Sequence, residues 1–183
     1  MKIARLIMTM DCKRNCVYCC NQYEHIMRGK QIIDDLSCLS DYDQICLTGG
    51  EVMLYPQKLI KLIEQIKEIN PSAKIFIYTA LCPTPPYLTQ ILYLVDGIHY
   101  SLHANTTDVD IDNFSIFQVA IRLFKYSGKT FRLFIHPECQ YSIILHPNLW
   151  YRVELKHWIS DDACELPTNE SLLQLSDNIF NKL

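Results

Sequence analysis

Apolar, β-branched and aromatic runs recur along the chain, each closed by residues that favour turns. Such runs read as strands, and they fall at residues 3–10, 44–48, 74–80, 97–103, 130–136 and 150–156. Between most of them the apolar spacing changes from alternation to a helical period. Leu59, Ile60, Leu62, Ile63, Ile66 and Ile69 form one stripe, with Pro56 suited to its first turn and Asn70-Pro71 stopping it. Leu88, Ile91, Leu92 and Val95 form a second stripe after Pro85-Pro86, and Phe117, Ala120, Ile121 and Phe124 a third, ended by Gly128. Ile32, Ile33, Leu36 and Leu39 suggest a shorter helix.

Strands alternating with helices imply parallel pairing and right-handed crossovers. A complete eight-unit barrel takes ~250 residues. The 183 residues here leave room for six units, so the expectation is α/β: an open, partial (β/α)6 TIM-like barrel filling residues 1–183 as a single domain. The fifth connection is the weak one, because Pro137 and Pro147 leave little space for a helix. The last stretch, about 169–183, reads as a helix through Leu172, Leu173, Leu175, Ile179 and Phe180, closing the bottom or side of the barrel without chemistry.

Candidate chemistry begins directly after the first strand. In the loop 11–20, Cys12, Cys16 and Cys19 are spaced C-x3-C-x2-C. Three soft thiolates on one short loop suit an iron–sulfur cluster, whose cubane form needs a fourth ligand from elsewhere. A closed structural zinc site also needs a fourth ligand, which Cys20 or His25 could supply. On the second strand, Ile45-Cys46-Leu47-Thr48 runs into Gly49-Gly50-Glu51. Paired glycines at a strand end let backbone approach a ligand closely, and a carboxylate beside them can receive an ammonium group. A plain turn with a solvated glutamate is the bland alternative.

These two segments together resemble the radical S-adenosylmethionine (SAM) superfamily. The resemblance covers the cysteine motif, including the aromatic Tyr18 before its third cysteine, the Gly-Gly-Glu motif and the fourth-strand segment described below. It implies that Cys12, Cys16 and Cys19 hold a [4Fe–4S] cluster whose remaining iron chelates SAM. It also implies that Gly49, Gly50 and Glu51 hold the methionyl amino group. The family normally continues with proline after the glutamate; here Val52 follows and Pro56 comes later, a change at the loop exit rather than at the ammonium contact. Both motifs leave the C-terminal ends of strands, where parallel barrels carry their sites.

Other residues are expected at the same mouth. The fourth strand ends in Tyr100-Ser101-Leu102-His103-Ala104-Asn105, and alternation sends Ser101 and His103 to one face. This segment resembles the strand that contacts the SAM ribose or carboxylate in several radical SAM enzymes. For His103 the alternative is a bond to a neighbouring carbonyl, and for Asn105 a turn role. Thr79, at the end of the third strand, is a further cofactor-facing candidate. Arg132, Phe134 and His136 share a face of the fifth strand. Arg132 could pair with the SAM carboxylate, and His136 is a substrate or proton-relay candidate. The sixth strand offers Glu154, Lys156 and Trp158, the last more readily explained as core. Cys82 and Cys139 lie just past the third and fifth strands and are candidates for handling substrate or radical. Cys38 and Cys46 read as small buried residues and Cys20 as a spectator. With Cys164, none of these forms a second cluster spacing.

Composition narrows the class. The chain is 49% hydrophobic with a net charge of −3, which supplies a core and argues against broad electrostatic binding to nucleic acid. No run is long enough for a membrane helix, and Met1-Lys2-Ile3 enters a strand pattern at once. Nine cysteines without an export signal suggest a reducing cytoplasm rather than a disulfide scaffold. The expected function is that of a radical SAM enzyme that cleaves SAM reductively and abstracts hydrogen from a substrate, fed by a flavodoxin- or ferredoxin-type electron donor. The substrate is a small molecule or a protein: one resemblance is to glycyl-radical-enzyme activases, another to 7-carboxy-7-deazaguanine synthases. The non-enzyme alternative is a structural zinc or iron–sulfur interaction domain.

Overall fold

The computed structural model describes residues 1–16, 18–157 and 166–183. Eight strands form one parallel sheet: β1 (Ile3–Thr9), β2 (Gln31–Ile33), β3 (Gln44–Gly49), β4 (Lys74–Thr79), β5 (Gly97–Leu102), β6 (Thr130–Ile135), β7 (Arg152–Leu155) and β8 (Glu170–Leu175). Their order is β2-β8-β1-β3-β4-β5-β6-β7, so the sheet is open, with β2 and β7 at its edges. The chain is therefore α/β, and its described residues carry eight strands where the pattern suggested six.

The extra two come from segments that read as helical. Leu172 and Leu173 are neighbours and both buried, because β8 packs against β1 in the sheet and is covered on both faces. Such a short apolar run fits a buried strand as well as a helix, and pairing with β1 decides it. Only Asp177–Lys182 of the expected C-terminal helix is helical (α5). Likewise Ile32 and Ile33 belong to β2, with a 3-10 turn over Leu36–Asp41 after it. Between β6 and β7 the two prolines open 3-10 turns, Pro137–Ser142 and Pro147–Leu149, instead of a helix.

A four-residue helix, α1 (Glu24–Met27), follows the cysteine loop, and three longer helices cover one face of the sheet: α2 (Pro56–Ile69), α3 (Pro85–Leu94) and α4 (Asp108–Arg122). Leu59, Leu62, Ile63 and Ile66 of α2 and Leu88, Ile91 and Leu92 of α3 meet Leu6, Leu47, Ile77 and Ile98 in one core. Each such side chain contributes about 1.5–3 kcal/mol by leaving water. Asn70 stops α2 and does more than break it. Its amide nitrogen donates to the carbonyls of Leu39, Ser40 and Tyr42 while its oxygen accepts from Ser72 and Ala73, so a buried side chain ties three segments together.

The other face of the sheet carries the alternate residues: Arg5, Cys46, Tyr78, His99, Arg132 and Phe134, none of which joins the aliphatic core. Arg5 pairs with Glu170 and lies over the Tyr78 ring at 5.4 Å. His99 sits among the rings of Phe76, Tyr78 and Phe134. β1, β3, β4 and β5 are successive neighbours, so their C-terminal ends open side by side at one edge.

Candidate functional site

The loop leaving β1 is fastened to the loop leaving β3 by backbone. Gly50 N–H donates to the Thr9 carbonyl and Glu51 N–H to that of Asp11, both at 2.7 Å. The glycines make this approach possible. Gly49 has a φ of +120°, and a Cβ there would overlap the Thr9 carbonyl and the Ile7 side chain, while one on Gly50 would strike the backbone of Met10 and Asp11. Their smallness thus serves the contact between the two loops, where the sequence suggested approach to a ligand. Asn21 adds a further tie, its amide donating to the Gly49 carbonyl at 2.6 Å.

One cavity opens above this junction. Cys12, Cys16 and Cys19 line it together with Gly49, Gly50 and Glu51, and its far wall is formed by Thr79, Ser101 and His103, with Tyr18 beside them. Ten of the residues singled out from the sequence thus border one space. All three cysteines are free thiols, Cys12 exposed and the others half-buried. Burial pushes the Cys16 thiol up, the neighbouring Cys19 and Cys12 sulfurs add to this, and Arg14 opposes it. Cys20 also lines the cavity but is disulfide-bonded, so it offers no thiolate.

Glu51 is buried, and its carboxylate is held by three donors: Met53 N–H at 3.0 Å and Thr79 Oγ1 at 2.7 Å on Oε1, and Ala80 N–H at 2.9 Å on Oε2. Burial raises its pKa, and these three hydrogen bonds and Arg14 work against that. Val52, which follows Glu51 directly, is buried and opens a 3-10 turn capped by the Glu51 side chain, after which Pro56 starts α2.

Tyr18 reaches across to β5. The Ala104 N–H donates to its hydroxyl oxygen at 3.2 Å, and the hydroxyl pairs with His103 Nδ1 at 3.4 Å. Burial lowers the pKa of His103 to about 4, with Arg14 and His136 adding to the effect, so its ring is neutral at pH 7. The Tyr18 ring stacks on that of His136, with centroids 6.3 Å apart. His136 stands behind Tyr18, outside the cavity lining, and caps the turn over Pro137–Ser142.

Arg14 is the site residue that the sequence reading missed. Its guanidinium bonds Asp110 at 2.7 Å and the Ala80 carbonyl at 3.1 Å. It therefore pins the cysteine loop to the exit of β4 and to the first turn of α4, where Asp110 also completes a capping box with Thr107. The available signal was its position inside the cysteine motif, two residues from both Cys12 and Cys16.

Several candidates fall elsewhere. Arg132 faces the same side of the sheet as Ser101 but does not line the cavity; it pairs in register with His99 and lies over the Tyr151 ring at 5.7 Å. Cys82 and Cys139 do not face the mouth. Both are packed in the aliphatic core, Cys82 with its pKa pushed up to about 11 by burial and Cys139 donating to the His103 carbonyl. Cys46 is buried as expected, whereas Cys38 is exposed. Lys156 lies over Phe134 at 5.5 Å and Glu154 pairs with Arg152. Trp158 and Cys164 lie outside the described residues.

Among the described residues, no three His, Cys, Asp or Glu side chains are grouped tightly enough to hold a single metal ion. Three soft thiols lining one cavity are the donor type that both a zinc ion and an iron–sulfur cluster take. No family model matches the chain, and no curated protein matches it.

Proposed function

We propose that the chain is a radical SAM enzyme, with Cys12, Cys16 and Cys19 as ligands of one [4Fe–4S] cluster. The observation that carries this reading is the sharing of one cavity by three free thiols and a buried carboxylate, Glu51, that is held on both oxygens and keeps acceptor capacity on Oε2. The thiols are soft donors suited to a cluster, and the carboxylate suits the ammonium end of an amino acid. When bound and reduced, the cluster supplies the electron that splits SAM to methionine and a 5′-deoxyadenosyl radical, which takes a hydrogen atom from the substrate.

The chain's own residues then bind and orient. Glu51, fixed by Met53, Thr79 and Ala80, receives the ammonium group, whose charge offsets the cost of burying the carboxylate. Ser101 and neutral His103 offer hydrogen bonds on the opposite wall. Arg14 favours thiolate on Cys16 and holds the loop in place. On this reading the open parallel sheet is a partial TIM-like barrel, the electron donor is of flavodoxin or ferredoxin type, and the compartment is the cytoplasm, whose reducing poise would open the Cys20 disulfide. Among the described residues no helix is long and apolar enough to cross a membrane.

Anaerobic reconstitution with iron and sulfide tests the reading. The expected result is about four irons per chain with a brown visible absorbance, lost in Cys16→Ala. Stoichiometric zinc that iron and sulfide cannot replace would instead support the interaction domain.

A further inference from the structure

The outer face of α4 is apolar where a solvent-facing helix should be polar. Val109 is 67% exposed, Val119 70%, Leu123 80% and Tyr126 92%, with Ile116 also in solvent. Their spacing is regular. Val109, Ile116 and Leu123 recur every seven residues, and Asp112, Val119 and Tyr126 recur at the interleaved positions, the seam of a helix that packs on another helix. The stripe continues past Arg122 because the chain keeps tight helical turns, with Leu123 N–H on the Ala120 carbonyl and Phe124 N–H on that of Ile121. Exposed Tyr93 of α3 lies on one flank, its ring 5.0 Å from Phe124. Exposed Ile144 lies on the other, its carbonyl bonded by Gln118. Apolar patches of this extent on a soluble surface mark interaction sites.

We propose that this stripe is the interface of a homodimer in which two copies of α4 pack antiparallel about a two-fold axis. The charges choose the occupant and its direction. The N-terminal end of the stripe carries exposed Asp108 and Asp112, and its C-terminal end carries exposed Arg122 and Lys125. A parallel pair would set like charges together; an antiparallel pair sets each acid beside a base of the second copy. One register satisfies both patterns. Placing Ile116 against Val119 of the second copy brings Val109 to its Tyr126, Asp112 beside its Arg122 and Asp108 beside its Lys125. A two-fold contact requires this self-complementarity, and an unrelated partner would not need acids at one end of the stripe and bases at the other. The proposal is independent of the cofactor chemistry.

Sedimentation of the full chain over roughly 1 to 100 μM tests it. The wild type should reach a dimer, and Val119→Lys should raise the dissociation constant at least about tenfold while leaving the circular dichroism spectrum unchanged. Asp112→Arg and Arg122→Asp should each weaken the dimer, and an equimolar mixture of the two variants should restore it, because each then faces the opposite charge. A wild type that stays monomeric throughout assigns the stripe to a different protein and overturns the proposal. So does a dimer indifferent to Val119→Lys, or a mixture no stronger than its components.

Discussion

The two faces of the sheet are built from alternate residues of the same strands, yet they differ in almost every physical respect. One face presents Leu6, Leu47, Ile77, Ile98, Leu133 and Ile135 to α2, α3 and α4, and on it the Tyr100 hydroxyl is buried without a hydrogen-bond partner among the described residues. The other presents Arg5, Tyr78, His99 and Arg132, and two of these carry unpaired buried nitrogens, His99 Nδ1 and Arg132 Nε. The first face holds the fold together and the second leads up to the cavity lined by the cysteines. Alternation by single residues thus keeps stability and chemistry apart within strands of six or seven residues.

The largest effect should come from damaging the helix-covered face. Phe117 of α4 is fully buried against Tyr100, and Phe117→Ala should cost about 3–5 kcal/mol in urea unfolding. A cost under 1 kcal/mol would mean that α4 is not part of the core.

The opposite face should answer to pH instead. His99 is only 6% exposed, and burial, helped by Arg132 and Arg5, lowers its pKa to about 4. The folded chain therefore holds the neutral ring while the unfolded chain protonates near pH 6.5. The stability tied to this group is fully present above pH 6.5 and drains as pH falls towards 4, by about 3 kcal/mol. His99→Leu should flatten the fall in melting temperature between pH 7 and pH 4.5 relative to wild type. Equal acid sensitivity in both proteins would contradict the assignment.

At the cavity, Glu51→Ala should retain iron but weaken SAM binding roughly 10–100-fold, the worth of a hydrogen bond to a charged group, measured anaerobically by calorimetry. Unchanged affinity would remove Glu51 from the site. The smallest effect is expected at the tether. Arg14→Lys keeps the charge but loses the planar fork that spans Asp110 and Ala80, at a cost of roughly 1 kcal/mol. Reconstitution yield should fall with it, and an unaltered stability and yield would make Arg14 a bystander.

Most of the scaffold was legible because the six longer strand runs are punctuated by turn residues and separated by helical stripes. β8 escaped because Leu172, Leu173 and Leu175 satisfy both periods, and its pairing with β1, far away in sequence, has no local signature. β2 is three residues long, too short to show a period. The cysteine and Gly-Gly-Glu segments were legible as chemistry, and their meeting follows from adjacent parallel strands. Cys82 and Cys139 were misplaced because alternation stops where a strand ends, and the turns that follow fold both thiols inward. Arg14 and Asn70 act through hydrogen bonds to residues far away in sequence, which leave no pattern in the chain.

The most direct test is electron paramagnetic resonance of the anaerobically reconstituted, dithionite-reduced protein with and without SAM. Coordination at a cluster corner that no protein ligand fills predicts that SAM shifts the reduced signal and that 5′-deoxyadenosine accumulates. A signal that SAM leaves unchanged, with no 5′-deoxyadenosine formed, would contradict the account.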